Sequence, residues 1–185
     1  RLDPLTGAID WHMHSGSDYN NIKALKYDAH RRCLWVGTHL GGLKKYNPTT
    51  GEYTVFPLGN DKANIVCDIE MYDQNTLLLA THDGIYRFDI PSGAFSPLFR
   101  TGSEGHVISL ALDIVLDHAR TLWIGGAEGG LYSYNFNTRR MKLYRHDDAL
   151  PHSLGSNGIN FLYVSPSNDI WIGTSEVGLD RFDRE

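Results

Sequence analysis

Leu34-Trp35-Val36-Gly37-Thr38 returns as Leu122-Trp123-Ile124-Gly125-Gly126 and as Ile170-Trp171-Ile172-Gly173-Thr174. A weaker copy, Leu77-Leu78-Leu79-Ala80-Thr81, lies between the first two. Each copy is followed by a Gly-Leu or Gly-Ile pair, at Gly42-Leu43, Gly84-Ile85, Gly130-Leu131 and Gly178-Leu179. The glycine of that pair recurs after 42, 46 and 48 residues. A period in this range, built from short apolar runs and turns, is the signature of a β-propeller array.

One unit runs from 21 to 56. Residues 22–27 alternate loosely and read as a first strand, ended by the polar run 28–32. A second strand covers 34–38, a third 43–46 after Gly41-Gly42, and a fourth 53–56 after Asn47-Pro48-Thr49-Thr50-Gly51. Glycine supplies positive φ at the first of these turns, and Asn-Pro opens the second. Such short spacings make each unit a four-stranded antiparallel meander. The same order fits 65–71, 77–80, 85–88 and 94–99, then 107–116, 122–124, 131–134 and 141–144. It fits again at 159–164, 170–172 and 179–182. Near the start, Arg1-Leu2-Asp3-Pro4-Leu5-Thr6-Gly7 matches Lys45-Tyr46-Asn47-Pro48-Thr49-Thr50-Gly51, so residues 1–14 read as the tail of a blade.

The expectation is an all-β chain of four-stranded antiparallel propeller blades, about four repeat units, forming part of a larger propeller. Its divisions are the end of a blade at 1–19, blades at 20–62, 63–105 and 106–156, and an incomplete blade at 157–185. The second strand is apolar on both sides of the pleat, as a sheet covered on both faces requires. Trp35, Trp123 and Trp171 are therefore read as buried architecture. Gly37, Gly125 and Gly173 are read as places where neighbouring sheets approach closely.

The bulk composition agrees with a folded domain: 41% hydrophobic, 21% charged, with 19 glycines and ten tyrosines. A net charge of −5, with 17 Lys and Arg scattered among 22 Asp and Glu, offers no basic field and argues against nucleic acid as a partner. No apolar run approaches the ~20 residues of a membrane span, so no membrane insertion by this segment is expected. Cys33 and Cys67 fall toward opposite ends of neighbouring strands and read as small buried side chains, not as a disulfide.

The string Leu34-Trp35-Val36-Gly37-Thr38, then Gly41-Gly42-Leu43, then Tyr46-Asn47-Pro48-Thr49-Thr50-Gly51-Glu52-Tyr53, resembles the two-component regulator propeller repeat. The run from Leu150-Pro151-His152-Ser153-Leu154 through Asn160 to Trp171-Ile172-Gly173-Thr174 is closer still to that pattern. The resemblance covers essentially the whole chain. It implies the periplasmic sensor region of an inner-membrane hybrid two-component protein of Bacteroides type, whose parent would be a histidine kinase. It also implies an oligosaccharide released from a complex glycan as ligand. Leu78 and Ala80 depart from the repeat, and the kinase, receiver and DNA-binding modules are absent from this sequence.

Propeller ligands usually meet the loops between strands two and three and the loops linking blades. The first set is His39-Leu40, His82-Asp83, Ala127-Glu128 and Ser175-Glu176; the framework before them is constant while these residues vary. The second set, 57–64, 99–106 and 145–158, holds Asp61, Lys62, Arg100, Glu104, His106, Arg145, His146, Asp147, Asp148 and His152. From these, His39, His82, Asp83, Arg100, Glu128, Arg145 and Glu176 are taken as ligand-binding candidates, since a sugar needs convergent polar groups beside an apolar face.

Other patterns carry less. His12 and His14 share a strand face but lack a third metal ligand. The run 125–130 lacks the G-x-G-x-x-G spacing and a following helix, so it reads as a hairpin and not as a phosphate loop. There is no nucleophile elbow and no zinc-protease motif, and neither a metal, a cofactor nor a catalytic role is expected. Two readings stand beside ligand sensing. One is a scaffold for protein interaction or homodimerisation, marked by an exposed aromatic patch. The other is a lyase-type propeller enzyme, which needs a histidine with an acid partner near the axis. An open arc cut from a larger ring is expected to associate with itself through its end faces.

Overall fold

The computed structural model describes residues 5–7, 21–100, 108 and 110–182. Expectations placed on the remaining residues, including His12, His14, Glu104, His106 and most of the 1–14 blade tail, lie outside these.

The first sheet is β1 (Ile22–Asp28), β2 (Cys33–Thr38), β3 (Leu43–Tyr46) and β4 (Tyr53–Phe56). The second is β5 (Val66–Asp73), β6 (Thr76–Thr81), β7 (Gly84–Asp89) and β8 (Ala94–Arg100). The third is β9 (Ala111–Leu116), β10 (Thr121–Gly126), β11 (Leu131–Asn135) and β12 (Arg140–Tyr144). The fourth, of three strands among the described residues, is β13 (Ile159–Val164), β14 (Ile170–Thr174) and β15 (Leu179–Phe182). Within each sheet the strands lie in sequence order, every pair antiparallel. β1 packs beside β5, β5 beside β9 and β9 beside β13, so the first strand of every sheet is innermost. These are propeller blades around a common axis, and the chain is all β as expected. The third unit's first strand begins later than expected, because Leu110 takes a left-handed φ of 49° that breaks the extended run.

Three hydrophobic clusters fill the three seams between consecutive blades. Trp35, Val66, Leu77, Leu79 and Phe88 belong to the first. Leu78, Ala80, Ala111, Leu122 and Ile124 belong to the second, and Trp123, Leu131, Ile159 and Ile172 to the third. Alternate residues of each second strand therefore serve opposite seams: Leu78 faces forward while Leu77 and Leu79 face back. This is the physical reason for the unbroken apolar run in these strands.

The seams are matched in volume at one position. A Cβ on Gly37 would lie 2.7 Å from Val66 O, and one on Gly125 would lie 2.5 Å from Ile159 Cγ2. In the second unit Ala80 replaces that glycine. The residue at the place of Val66 and Ile159 is there Ala111, by the register of β5, β9 and β13 on their partners. Large meets nothing, or small meets small. The weak copy of the repeat is thus compensated across the seam, and Phe99, Tyr134 and Phe136 pack where its missing indole would lie.

The tryptophans carry a second device. Trp35 Nε1 donates to Asp28 Oδ2 at 3.3 Å, and Trp123 Nε1 donates to Asp117 Oδ2 at 2.9 Å. Both carboxyls are buried, at the turn that precedes the strand. In the second unit, where Leu78 has no N–H to offer, the corresponding Asp73 is exposed. Trp35 and Trp123 are 1% and 4% exposed. Trp171 departs from the expected burial and is only half-buried. Its side of the fourth sheet faces away from the third, and Phe161, Tyr163 and Leu179 on that side are 72%, 59% and 66% exposed. At the position of Leu179 the other blades hold Leu43, Ile85 and Leu131, all fully buried. The nearest described atoms to a Cβ on Gly173 accordingly belong to Phe161 of its own sheet, at 3.4 Å from Cβ to Cβ.

Candidate functional site

The axis is lined by the innermost strands, and their register decides which residues reach it. Ala24, Asp68, Asp113 and Phe161 stand opposite the small residue of the second strand in blades one to four. One residue earlier in each strand come Lys23, Cys67, Leu112 and Asn160. These four, with Phe161, His39 and His82, line a cavity of about 370 Å³. Every blade contributes to it. Two of the seven ligand candidates are brought together here, and they arrive by the same local device. Thr38 Oγ1 donates to Gly42 O at 2.8 Å and Thr81 Oγ1 donates to Gly84 O at 2.9 Å, which locks each turn and sets the next residue, His39 or His82, at the axis.

The cavity is rich in nitrogen. Lys23 and Asn160 are exposed, while His39 and His82 are half-buried. Burial, and then the charges of His39, Lys23 and Lys62, hold the His82 imidazole below the usual histidine range. Burial pushes the Cys67 thiol up to about 11, so it is neutral at physiological pH. His39 Nδ1 is buried, with no hydrogen-bond partner among the described residues. Both cysteines are free thiols, and among the described residues no three His, Cys, Asp or Glu side chains are placed to share a metal ion.

The remaining candidates lie elsewhere. Asp83 is buried and turned into a latch: it accepts from Tyr86 Oη, from Asn60 Nδ2 at 3.4 Å, and from Arg100 Nη2 and Nε at 3.0 and 3.2 Å. These partners hold its carboxyl below the usual range against the opposing effect of burial, which is the largest single influence. Arg100 is committed to that latch, which ties the β6–β7 turn to the end of β8 and to the linker from the first blade. Glu128 and Glu176 are exposed loop residues outside the cavity. Arg145 lines a larger groove of about 820 Å³ with Tyr144, Leu150, Leu179 and Arg181. That groove runs along β15, the edge strand of the fourth sheet among the described residues. The axial cavity, to which every blade contributes, is the better candidate site.

Two carboxyls lie just behind the axis. Asp68 Oδ2 accepts from Ile114 N at 3.0 Å, and Asp113 Oδ1 accepts from the same N–H at 3.1 Å. Asp113 Oδ2 also accepts from Leu162 N. Each aspartate thus reaches from one blade's inner strand to the backbone of the next. Burial, followed by the hydrogen bond and the charge of Asp68, raises the Asp113 carboxyl to about 8.

The loop positions singled out from the sequence do not include Lys23, Cys67, Leu112, Asn160 or Phe161. The first four stand at matching places in the four first strands, with Phe161 one residue further on, and that match is visible in the sequence.

Neither a protein-family model nor a curated protein matches the chain. Solved structures do. The extracellular domain of BT4673 from B. thetaiotaomicron, assigned to the hybrid two-component systems, has a TM-score of 0.75 at 22% identity, covering 91% of this chain and 22% of that one. The extracellular domain of BT3049 from the same organism, assigned likewise, has a TM-score of 0.74 at 23% identity, covering 95% and 24%. The WD40 β-propeller domain of Doa1 follows at 0.69 and 16% identity, covering 89% and 51%. The chain therefore spans less than a quarter of the two sensor domains, and at these identities it shares with all three the propeller fold.

Proposed function

We propose that the chain is part of the periplasmic ligand-sensing propeller of a hybrid two-component sensor histidine kinase, and that a glycan-derived oligosaccharide binds at the axial cavity. The observation that carries this reading is the convergence of His39 and His82 with one inner-strand residue from each of four blades. The repeat pattern of the sequence supports the sensor class, as does the fold shared with the extracellular domains of BT4673 and BT3049. A cavity gathered from all blades suits a sensor, because an occupant touches every innermost strand and biases how the blades sit against one another.

The test is calorimetric titration of the chain with oligosaccharides released from complex glycans. His39→Gln and His82→Gln weaken binding at an unchanged melting temperature, while changes at Thr49 and Ser92, in turns of the opposite face, leave it intact. Equal losses from both faces refute the assignment.

A second reading rests on one observation, the exposed apolar side of the fourth sheet at Phe161, Tyr163 and Leu179. It makes the chain a surface for self-association, and sedimentation as a function of concentration tests it. A lyase-type role is less well supported. Among the described residues no hydrogen bond joins His39 or His82 to a carboxyl, and the neighbouring Asp83 is bound into its latch.

A further inference from the structure

We propose that the ligand of the axial cavity is an acidic saccharide, its carboxylate or sulfate held by Lys23, His39 and His82 and one sugar face laid on Phe161. This rests on the reading of that cavity as the ligand site.

A neutral sugar hydroxyl is both donor and acceptor, and a site built for it supplies both. Lys23 offers only donors, and the two imidazoles become donors throughout when protonated. Among the described residues no Asp or Glu lines the cavity. The carboxyls nearest in sequence to its lining residues are occupied, Asp68 by Ile114 N, Asp113 by Ile114 N and Leu162 N, and Asp83 by Tyr86, Asn60 and Arg100. Cys67 is a neutral thiol, Leu112 is apolar, and Asn160 is the one side-chain amide. An anion matches the one fixed charge of this wall, the Lys23 ammonium, while the imidazoles of His39 and His82 and the Asn160 amide each have an N–H to turn toward it.

Phe161 specifies the rest. At its position the other innermost strands carry Ala24, Asp68 and Asp113. The fourth carries an aromatic ring that is 72% exposed and lines the cavity. A ring presented beside cations is the pairing that holds a sugar ring and its acidic substituent together.

The charges predict a proton. Burial and the neighbouring cations Lys23 and Lys62, with His39, disfavour the protonated form of His82 in the empty cavity. A bound anion reverses the sign of that field, so His82 takes up a proton on binding and affinity rises as the pH falls. Cys67 stays neutral across this range, and Asp68 and Asp83 keep their own partners. Asp113, behind the axis and raised to about 8, also titrates here, so the uptake belongs to His82 only if His82→Gln abolishes it.

The experiment is isothermal titration of the 185-residue chain with three hexasaccharides: hyaluronan (carboxylates only), chondroitin sulfate (carboxylates and sulfates) and cellohexaose (neutral). Each is run in two buffers of different ionisation enthalpy, at about pH 6 and about pH 8, which bracket the histidine range. The expected result is that an acidic hexasaccharide binds at least ~10-fold more tightly than cellohexaose, the scale of one charge-assisted contact. Binding takes up protons and is tighter at the lower pH. Lys23→Gln, a change on an exposed side chain that leaves the fold intact, costs about tenfold in affinity. Cellohexaose binding as tightly as the acidic pair overturns the acidic class and leaves the cavity as a sugar site. If a chain with an intact melting transition binds none of the three, both the acidic class and the saccharide reading fall. Acidic binding unchanged by Lys23→Gln and without proton uptake moves the site away from the axis and overturns the proposal.

Discussion

Replacing Gly125 by alanine sets a methyl carbon 2.5 Å from Ile159 Cγ2 and 3.1 Å from Ile159 Cβ. Ile159 is fully buried on the inner strand of the next blade, so the overlap has no route into solvent. Overpacking of this kind costs about 1–3 kcal/mol. Ile159→Ala alone loses the buried surface and leaves a cavity, at about 2–5 kcal/mol. Together the two changes put a methyl group where the isoleucine branch was, and they recreate the Ala80–Ala111 pairing of the neighbouring seam. The double variant is therefore expected to lose about 2 kcal/mol less than the sum of the singles, a coupling typical of residues in contact. Gly37→Ala is the control. Its methyl meets Val66 O at 2.7 Å as well as Val66 Cγ1 at 2.9 Å, so Val66→Ala removes only one of two clashes. That pair should couple by less than about 1 kcal/mol. Urea unfolding at fixed pH reads all six variants, and unchanged m-values certify that the same surface is exposed in each. Additivity within about 0.5 kcal/mol for Gly125 and Ile159 would refute the claim that this residue pair sets the distance between blades.

Trp35→Phe and Trp123→Phe keep most of the ring but remove one donor from the buried Asp28 and Asp117 carboxyls, which retain Arg31 and Thr121 N, and each should cost about 1–2 kcal/mol, whereas Asp73→Ala, which has no indole to serve, should cost under about 1 kcal/mol by urea midpoint. Asp113 keeps its proton to about 8 when folded against 3.8 for an ordinary carboxyl, so between these values the folded chain holds a proton that the unfolded chain has released. Stability is then greatest at the acid end of that window and falls as pH rises through it, and Asp113→Asn flattens the slope and raises the melting temperature at about pH 8; a profile that rises over the same window overturns the assignment. Arg100→Gln, whose side chain is about half exposed, should cost about 1 kcal/mol or less and leave saccharide affinity unchanged, and loss of binding there would return Arg100 from the latch to the site.

The repeat made the blades legible before any single residue was interpreted, because a meander of short strands at a fixed period has few other ways to bury both faces of its second strand. What it concealed was pairing across seams. Asp83 reads in sequence as a loop acid beside His82. It becomes a latch only because the β7–β8 register sets Gly84 opposite Arg100, and a register is not printed in a string of residues. The exchange of Gly for Ala at 80 likewise reads as decay of the repeat until Ala111 is found across the seam.

The axial residues were hidden for the opposite reason. A repeat search rewards positions that recur, and Lys23, Cys67, Leu112 and Asn160 share a place without sharing a type. The seam positions are tightly specified: small against large, tryptophan against aspartate, threonine against its turn. The inner position is not, since a cationic, a thiol, an aliphatic and an amide side chain all stand there on strands of the same geometry. Packing therefore does not prescribe the residue at that place, and chemistry is free to. In a chain built by repetition, the matched positions hold the blades together. The mismatched positions that converge are the place to look for a ligand, and here they converge on His39 and His82.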